Sequence, residues 1–454
     1  MTTVINGSSP SITFSDSTTQ STAFTTTPSV TTITTSADAS ISGLTVGKGG
    51  GAGSTNTVVG NGALAASAAN QYLSAFGQLA LAANTTGAYN TGIGAYALTA
   101  MTTGTDSTAL GVQALDNNTT GSFNTGLGRF ALHSNTTASN NTAVGYQAGY
   151  LNVTGASQTF VGYQAGYGNT GGSNTFVGFG CGTSSTTGTG NTAIGRLACI
   201  GNVGGSGSNN TAVGDTALYN NTTANNNTAV GFQALYTVST SGPNTAIGYK
   251  ALYNNTTSSN TAIGYNAGLA TTSGDSNTFV GDTAGSNITT GYHNIYVGAS
   301  SQASGSGAQN EIVVGYNSVG KGSGTGFINP YNGGNMYQGN NSAAWSITSD
   351  QRLKKNIVDN TTGLSAITAI QVRNFEYRTA DEVTELEPQN AIDIKGVQLG
   401  AIAQELQAIL PECVKTESTG VMSVDATNLT WYLINAVKEL NAKVTALEAQ
   451  LGAK

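Results

Sequence analysis

Charge is what this chain has least of. Asp, Glu, Lys and Arg make up 8% of its 454 residues, and the net charge is −7. No basic cluster interrupts that scarcity, so the footprint of a nucleic-acid-binding surface is missing. Cysteine is nearly as rare. Cys181, Cys199 and Cys413 are odd in number and show no C-x-x-C spacing, which argues against both a disulfide framework and a zinc site. His133 and His293 are the only histidines and stand apart from each other, as surface or turn residues do. Neither a metal nor a cofactor is expected. No run of 18 apolar residues exists, so membrane insertion is not expected. The first residues, MTTVINGSSPSITFSDSTTQ, lack the basic start and apolar core of a signal peptide; assembly in a cytoplasm follows as the expectation.

What charge there is lies mostly at one end. Residues 1–348 hold 5 Lys/Arg and 8 Asp/Glu, whereas residues 349–454 hold 10 and 14. A nearly uncharged body rich in Gly, Asn, Thr and Ala therefore meets an ordinary globular segment at Thr348-Ser349-Asp350-Gln351-Arg352-Leu353-Lys354-Lys355-Asn356-Ile357. Four segments follow: 1–53 for attachment, 54–316 of repeats, 317–348 as a neck or linker, and 349–454.

Low charge and abundant glycine could mean disorder, but the body keeps a strict period. Its unit is Asn-Thr-Ala-Ile/Val-Gly, as at Asn141–Gly145, Asn191–Gly195, Asn227–Gly231 and Asn260–Gly264. The closing glycine recurs from Gly60 to Gly315 in fifteen steps with a mean of 17 residues; twelve steps are 17, and the others are 16, 16 and 19. That unit is too short for a helix–turn–helix repeat or a propeller blade. It fits one coil of a β-solenoid with two short strands and two turns, about 16 coils stacked at roughly 4.8 Å. The second half of many units reads Ala-Leu-x-Asn-Asn-Thr-Thr, residues that suit turns and bond locally to the backbone. Each coil offers an Ile/Val, a Leu and some Ala for burial. Alone that does not offset the ordering entropy, so stacked neighbours and partner chains are required. A trimer with apolar faces turned to a common axis meets the requirement. The motif resembles the head repeats of trimeric autotransporter adhesins, whose Asn-Ser-x-Ala-Ile-Gly signature forms a left-handed parallel β-roll in a trimer. Here Thr replaces Ser, the unit is slightly longer, and no outer-membrane anchor is seen.

Aromatics cluster just after the motif glycine: Phe130, Tyr146, Tyr163, Phe179, Phe232, Tyr249 and Tyr265. At a 17-residue spacing they form a file, either a packing ladder or a stacking surface for sugar rings carried by Tyr146, Tyr163, Tyr249 and Tyr265. Outside the repeats, short strands are predicted at Ser11–Phe14, Thr31–Thr34, Phe327–Tyr331 and Ala343–Ile347, with Gly320–Gly326 as a linker. Gly47-Lys48-Gly49-Gly50-Gly51 lacks the Lys-Ser/Thr ending of a phosphate loop.

The tail reads as α+β: a helix at Leu364–Ile370, a strand at Val372–Tyr377, a polar loop at Asp381–Asn390, a helix opening near Gly400 and stopping before Pro411, a strand at Cys413-Val414, and a long final helix. Leu433, Val437, Leu440, Val444, Leu447 and Leu451 recur at 4,3,4,3,4, the seam of a coiled coil. By the pairing rule Val and Leu there lean towards two strands; the body argues for three. Ser349–Ile357, Gly400-Ala401-Ile402-Ala403-Gln404-Glu405, Leu410-Pro411-Glu412 and Ala436–Asn441 are similar to the C-terminal intramolecular chaperone of phage endosialidases and tail fibres. That resemblance implies a domain that trimerises, templates the β-fold upstream and cuts itself off between Thr348 and Ser349, with Asp350, Arg352, Asn356, Gln404 and Glu405 supporting the motif. Residue types allow the chemistry. Ser349 Oγ attacks the Thr348 carbonyl, and Lys354, once desolvated enough to lose its proton, is the base. Five residues on one helix span about 140°, so a turn or a lysine from another protomer must close the gap. The plainer reading is a helix N-cap at Ser349 or Asp350 with solvated charges.

Function follows from these resemblances: a homotrimeric phage tail fibre or appendage of the virion, assembled in the host cytoplasm, fixed to a tail or baseplate by its N-terminus and binding a host-surface glycan or protein. It is an enzyme only in the sense of single-turnover autoproteolysis. Two alternatives remain. A glycan-degrading tailspike needs two carboxylates about 5 to 10 Å apart, and the closest pair in sequence, Asp275 and Asp282, has no flanking catalytic group. A cellular trimeric adhesin needs a secretion signal or anchor.

Overall fold

The computed structural model describes residues 12–13, 19–20, 39–41, 44–49, 55–67, 71–201, 205–330, 336–338, 351–379, 381–385, 394–416 and 420–453. The chain forms two compact units, residues 1–348 and 349–454. The first is a β-solenoid of about 16 coils. Each coil carries one three-residue strand, for example Thr142–Val144, Thr159–Val161 and Thr228–Val230. Each strand pairs in parallel and in register with the strands of the coils before and after it, so Thr142 faces Thr159, Ala143 faces Phe160 and Val144 faces Val161. The coil has one strand where two are expected. Its second half is also hydrogen-bonded from coil to coil, as in Leu132 N–H to Ala148 C=O at 2.9 Å, but in turn geometry. The second and fourth residues after the motif glycine are left-handed, with φ of +63° at Phe130 and +50° at Leu132, and that alternation cannot pleat.

The motif glycine has a backbone reason. Its φ lies between +125° and +149° along the rod, and at Gly231 an added Cβ would run into the carbonyl of Gly248 in the next coil. Only glycine lets the corners stack this closely.

Inside and outside are distributed differently from expectation. Ala143, Ala193, Ala229 and Ala262, the middle residues of their strands, are fully buried. The following Ile or Val points outward; Ile93, Ile194, Ile247 and Ile263 remain 38–42% exposed. The lumen of a 17-residue coil is narrow. Ala and the leucine of the turn fill it, as Ala114 and Leu115 do, and the β-branched residue is left outside as one apolar file along the body.

The motif asparagine also does more than shape a turn. Asn277 Oδ1 accepts from the backbone N–H of Asn294 (3.0 Å), and its Nδ2 donates to the carbonyl of Gly291 (2.9 Å). The same bond recurs from Asn210 to Asn227 and from Asn227 to Asn244 (2.9 Å each). Buried amides thus pin each coil to the next. The file ends on Glu311, a buried carboxylate accepting from Tyr296 Oη (3.0 Å), Ser304 N–H (3.1 Å) and Gly322 N–H (2.9 Å). Replacing Asn277 by alanine leaves buried donors and acceptors unpaired, at about 1–3 kcal/mol for each. The expected result is a clear fall in melting temperature with an unchanged circular-dichroism spectrum at room temperature.

Ladder ends are usually hazards for edge pairing. Here an antiparallel strand covers each: Leu44–Gly47 pairs with Thr57–Val59, and Met336–Gln338 with Gly326–Ile328. Parallel pairing also continues past residue 316, since Val313 faces Phe327. The stretch read as a linker therefore belongs to one more coil. Ile12–Thr13 pairs with Thr19–Gln20, while Thr31–Thr34 and Ala343–Ile347 lie outside the described residues.

Cys181, Cys199 and Cys413 are free and buried. Burial pushes the Cys199 thiol up to about 11 and raises Cys181, with Cys199 adding to the shift on Cys181. At pH 8 about one Cys199 thiol in a thousand is then ionised, roughly a hundredfold fewer than for an ordinary cysteine. All three should stay silent to a thiol reagent in the native protein and react together on denaturation; prompt labelling of one in buffer would show an open coil.

The second unit is α+β. Helix α1 (Leu364–Ala369), α2 (Ala403–Gln407) and α3 (Ala426–Gly452) accompany two antiparallel hairpins, Arg373–Phe375 with Gln398–Gly400 and Val414–Thr416 with Met422–Val424. Its core is small: Leu406, Leu410, Cys413 and Tyr432, with Ile367, Ile370 and Leu429 against them. Asp425 caps α3 by accepting from Thr427 N–H (3.1 Å). Among the described residues no helix is long and apolar enough to cross a membrane.

Candidate functional site

Two places merit description. The first is the junction. Thr348, Ser349 and Asp350 lie outside the described residues, so the scissile bond and its nucleophile have no geometry here. From Gln351 the chain makes one 3-10 turn, Gln351–Leu353, with Lys354 N–H bonded to Gln351 C=O at 3.1 Å. Arg352, Lys354 and Asn356 are exposed, and Asn356 has φ of +55°. From Gln351 to Asn356 the chain therefore runs as a short turn and not as a continuing α-helix. Glu405 holds Arg373 in a two-pronged ion pair (3.1 and 3.0 Å), tying α2 to the first hairpin; Gln404 beside it is exposed. That pairing raises the Arg373 guanidinium, first through the hydrogen bond to Glu405 and then through its charge. These two support residues therefore sit on the domain's scaffold, and Arg352 and Asn356 sit on its first turn.

Around that scaffold the unit leaves apolar side chains in water. Leu433, Val437, Leu440, Val444, Leu447 and Leu451 all lie along α3 and are all exposed, as are Leu353, Ile357 and Val358 beside the turn. The seam predicted from heptad spacing is thus present as one unpartnered helical stripe. Glu439, on another side of α3, accepts from Leu364 N–H (3.1 Å), and Asn435 donates to Asn360 C=O (2.8 Å), so α1 and its lead-in already occupy that other side.

The second place is the aromatic face of the body. Tyr146, Tyr163 and Phe179 stack face to face across successive coils, with centroids 5.4 and 5.0 Å apart. Phe232, Tyr249 and Tyr265 do the same at 5.2 and 5.0 Å. Inner ring faces are therefore occupied by neighbouring rings, and ring edges and hydroxyls meet solvent. The one-residue offset of Phe130 matters: it stands edge-on to Tyr146, at 73°, with Arg129 over its ring.

A second file was missed from sequence. It sits five residues after the motif glycine and comprises His133–Tyr150–Tyr167 and Tyr219–Tyr236–Tyr253, again stacked at 4.9–5.2 Å. The 17-residue spacing applied at that offset would have found it. His133 also approaches Asp116 (3.7 Å). Loss of water in the stack raises the Tyr236 phenol, with Tyr219 and Tyr253 adding. Lys250 lies 5.4 Å from both Tyr249 and Tyr253, bridging the two files. Between the two trios of the first file come Arg196 and Asp215, joined by bonds of 2.8 and 3.0 Å.

No group of side chains fit to hold a metal ion occurs among the described residues. Glu311, with its three donors, is built into the coil stack rather than into a cleft.

Residues 349–415 match a family model described as chaperone of endosialidase. No curated protein and no solved structure matches the chain. A β-solenoid body followed by that segment fits a tailspike- or endosialidase-type protein with a C-terminal chaperone, in line with the resemblance in the tail.

Proposed function

We propose that this chain is the protomer of a homotrimeric phage tail fibre, a virion protein whose body meets the host surface and whose tail assembles the body and then leaves it. The observation that carries the reading is the unsatisfied apolar surface in both units: the outward Ile/Val file of the body and the Leu/Val seam of α3. A single copy leaves each exposed to water over many residues, which a soluble monomer rarely does. Three copies with their files and seams turned to one axis cover both. The family matched by residues 349–415 is associated with trimeric proteins, which favours three chains over the two that the Val/Leu seam alone suggests.

The sequence of events follows from the physics of the parts. Parallel in-register strands can slip and are slow to pair. A tail that associates first sets the register of three bodies at one end. Lys354 is exposed in the single chain, so the desolvation that would make it a base must come from assembly. Cutting then waits for the trimer. Ser349 Oγ adds to the Thr348 carbonyl, the C–N bond breaks to leave an ester and a free Ser349 amine, and water resolves the ester. The N-terminal segment joins the tail or baseplate, and the body binds a host-surface glycan or protein.

Intact mass and light scattering on the expressed full-length chain test this. Two fragments divided at Ser349, with a body three times its chain mass, are expected. A soluble single-copy body would overturn the assembly reading, and a stable trimer of uncut chains would overturn the self-cleavage.

A further inference from the structure

We infer that the outer face of the tail's first hairpin is a docking surface for the first turn of a second copy of this chain, so that each cleavage segment is closed by its neighbour. This rests on the assembly and self-cleavage reading and names the surface that closes the segment. Among the described residues, eight large apolar side chains are 63% exposed or more, and six of them fall in two patches of the tail. Leu353, Ile357 and Val358 form one, on the segment that carries Lys354, at 75%, 64% and 86%. Val372, Val397 and Leu399 form the other, at 68%, 67% and 75%. Within one chain neither patch is covered.

The hairpin, Arg373–Phe375 with Gln398–Gly400, has two unlike faces because side chains alternate along a strand. On one face Arg373 stands opposite Gly400 and Phe375 opposite Gln398. From that face Arg373 reaches Glu405 of α2, so the scaffold occupies it. On the other face Asn374 stands opposite Leu399. Val372 and Val397, two residues before Asn374 and Leu399, share that face by the same alternation. The outer face is therefore three aliphatic side chains and one amide, with Leu399 in the middle.

The first turn of a second copy fits this face in charge as well as in apolarity. Residues 351–358 carry Arg352, Lys354 and Lys355 and no carboxylate. The described residues just past the hairpin's first strand carry Glu376, Asp381, Glu382 and Glu385 against Arg378. Opposite charges steer the encounter, and burial of the aliphatic side chains holds the contact. The α3 stripe meets its own equivalents at one axis. A ring of identical chains joined head to tail needs instead two different patches on each, one given to the next copy and one taken from the copy before. Turn and hairpin supply that pair. Leu353 and Ile357 lie on either side of Lys354 in the chain, so seating them on an aliphatic face strips water from the lysine, the condition for a neutral amine. Arg352 and Lys355 remain to meet the carboxylates.

Disulfide trapping on the full-length chain tests the contact. Val358→Cys and Leu399→Cys, both at exposed positions, are placed together in the Ser349→Ala chain and treated with oxidised glutathione; the three native cysteines are buried. Bands of two and three linked chains should appear on a non-reducing gel, and a chain carrying either new cysteine alone should stay unlinked. Without the Ser349 change, Leu399→Asp should slow tail release about tenfold or more, the loss expected for one buried leucine. Leu399→Met should release at the parent rate, and α3 should keep both variants trimeric. A trimer without links, links closed within one chain, links from either cysteine alone, or parent-rate release from the Leu399→Asp trimer would each overturn the docking. A single-copy mass would overturn the assembly reading and this contact with it. An uncut parent chain whose double-cysteine form still links would overturn self-cleavage alone and leave the contact standing.

Discussion

Replacing Ser349 by alanine should leave one chain of full length where the parent yields two. The expected effect is complete, because the serine hydroxyl is the atom that would form the new ester and alanine offers none. Lys354→Ala should slow release by about 10²–10⁴-fold, the usual contribution of a positioned base. Lys354→Arg should do no better, since a guanidinium does not give up its proton in a protein. Both variants should still associate, because the seam of α3 and the body's Ile/Val file are untouched. That combination, an uncut trimer, separates folding from cutting. Fragment release from the Ser349→Ala chain would remove Ser349 from the mechanism, and a monomeric Ser349→Ala chain would tie cutting to assembly in the opposite order. A further consequence concerns refolding. Once unfolded, the processed body lacks the segment that set its register, while the Ser349→Ala chain retains it. After dilution from denaturant the uncut variant should recover its trimer mass and the processed body should not.

A second large effect is expected from an exchange of volume inside the solenoid. In five coils the strand carries Ala and the turn carries Leu, as in Ala229 with Leu235 and Ala246 with Leu252. Three coils reverse this with Phe in the strand and Gly in the turn. At Gly182 an added Cβ would lie 2.5–2.8 Å from the ring of Phe176, and at Gly268 and Gly285 it would press on Phe279. Glycine is not there for its backbone. Gly182 has φ of +61°, but Leu235 and Leu252 hold +51° and +50° at the equivalent place. It is there because each Phe ring fills the lumen at the turn of its own coil and, as Phe279 does at Gly268, at the turn of the coil before. Gly182→Leu alone should cost the overpacking penalty of about 1–3 kcal/mol or more. Phe176→Ala alone should cost about 3–5 kcal/mol for the cavity. Together they rebuild the commoner coil, and the double variant should melt well above either single one. Additive losses would show that the two sites do not share a space, and the volume argument would fail with them.

How much was legible beforehand varies by residue. The glycines from Gly60 to Gly315 disclosed a parallel, in-register stack because a repeated unit puts equivalent backbone atoms at equivalent places. The heptads from Leu433 to Leu451 likewise disclosed an apolar helical stripe. Less readable was which side of the strand faces in. Alternation says only that Ala143 and Val144 point opposite ways, and hydrophobicity alone favours burying valine; the width of the closed coil reverses that choice. The motif asparagine looked like a turn residue because its partner lies a full coil away. Arg196 and Asp215 each directly follow a motif glycine, but only the stacked coils show that their side chains meet, at 2.8 and 3.0 Å.

Sequence by itself therefore determined the period, the presence of a coil stack and the chemical equipment of the Ser349–Lys354 segment, all of which depend on residue type and spacing along the chain. Tertiary structure alone decided which apolar residues are enclosed by a coil and which lie outside it, and which rings cover one another. Those are questions of volume and of contact between coils, and they have no answer until the chain closes on itself.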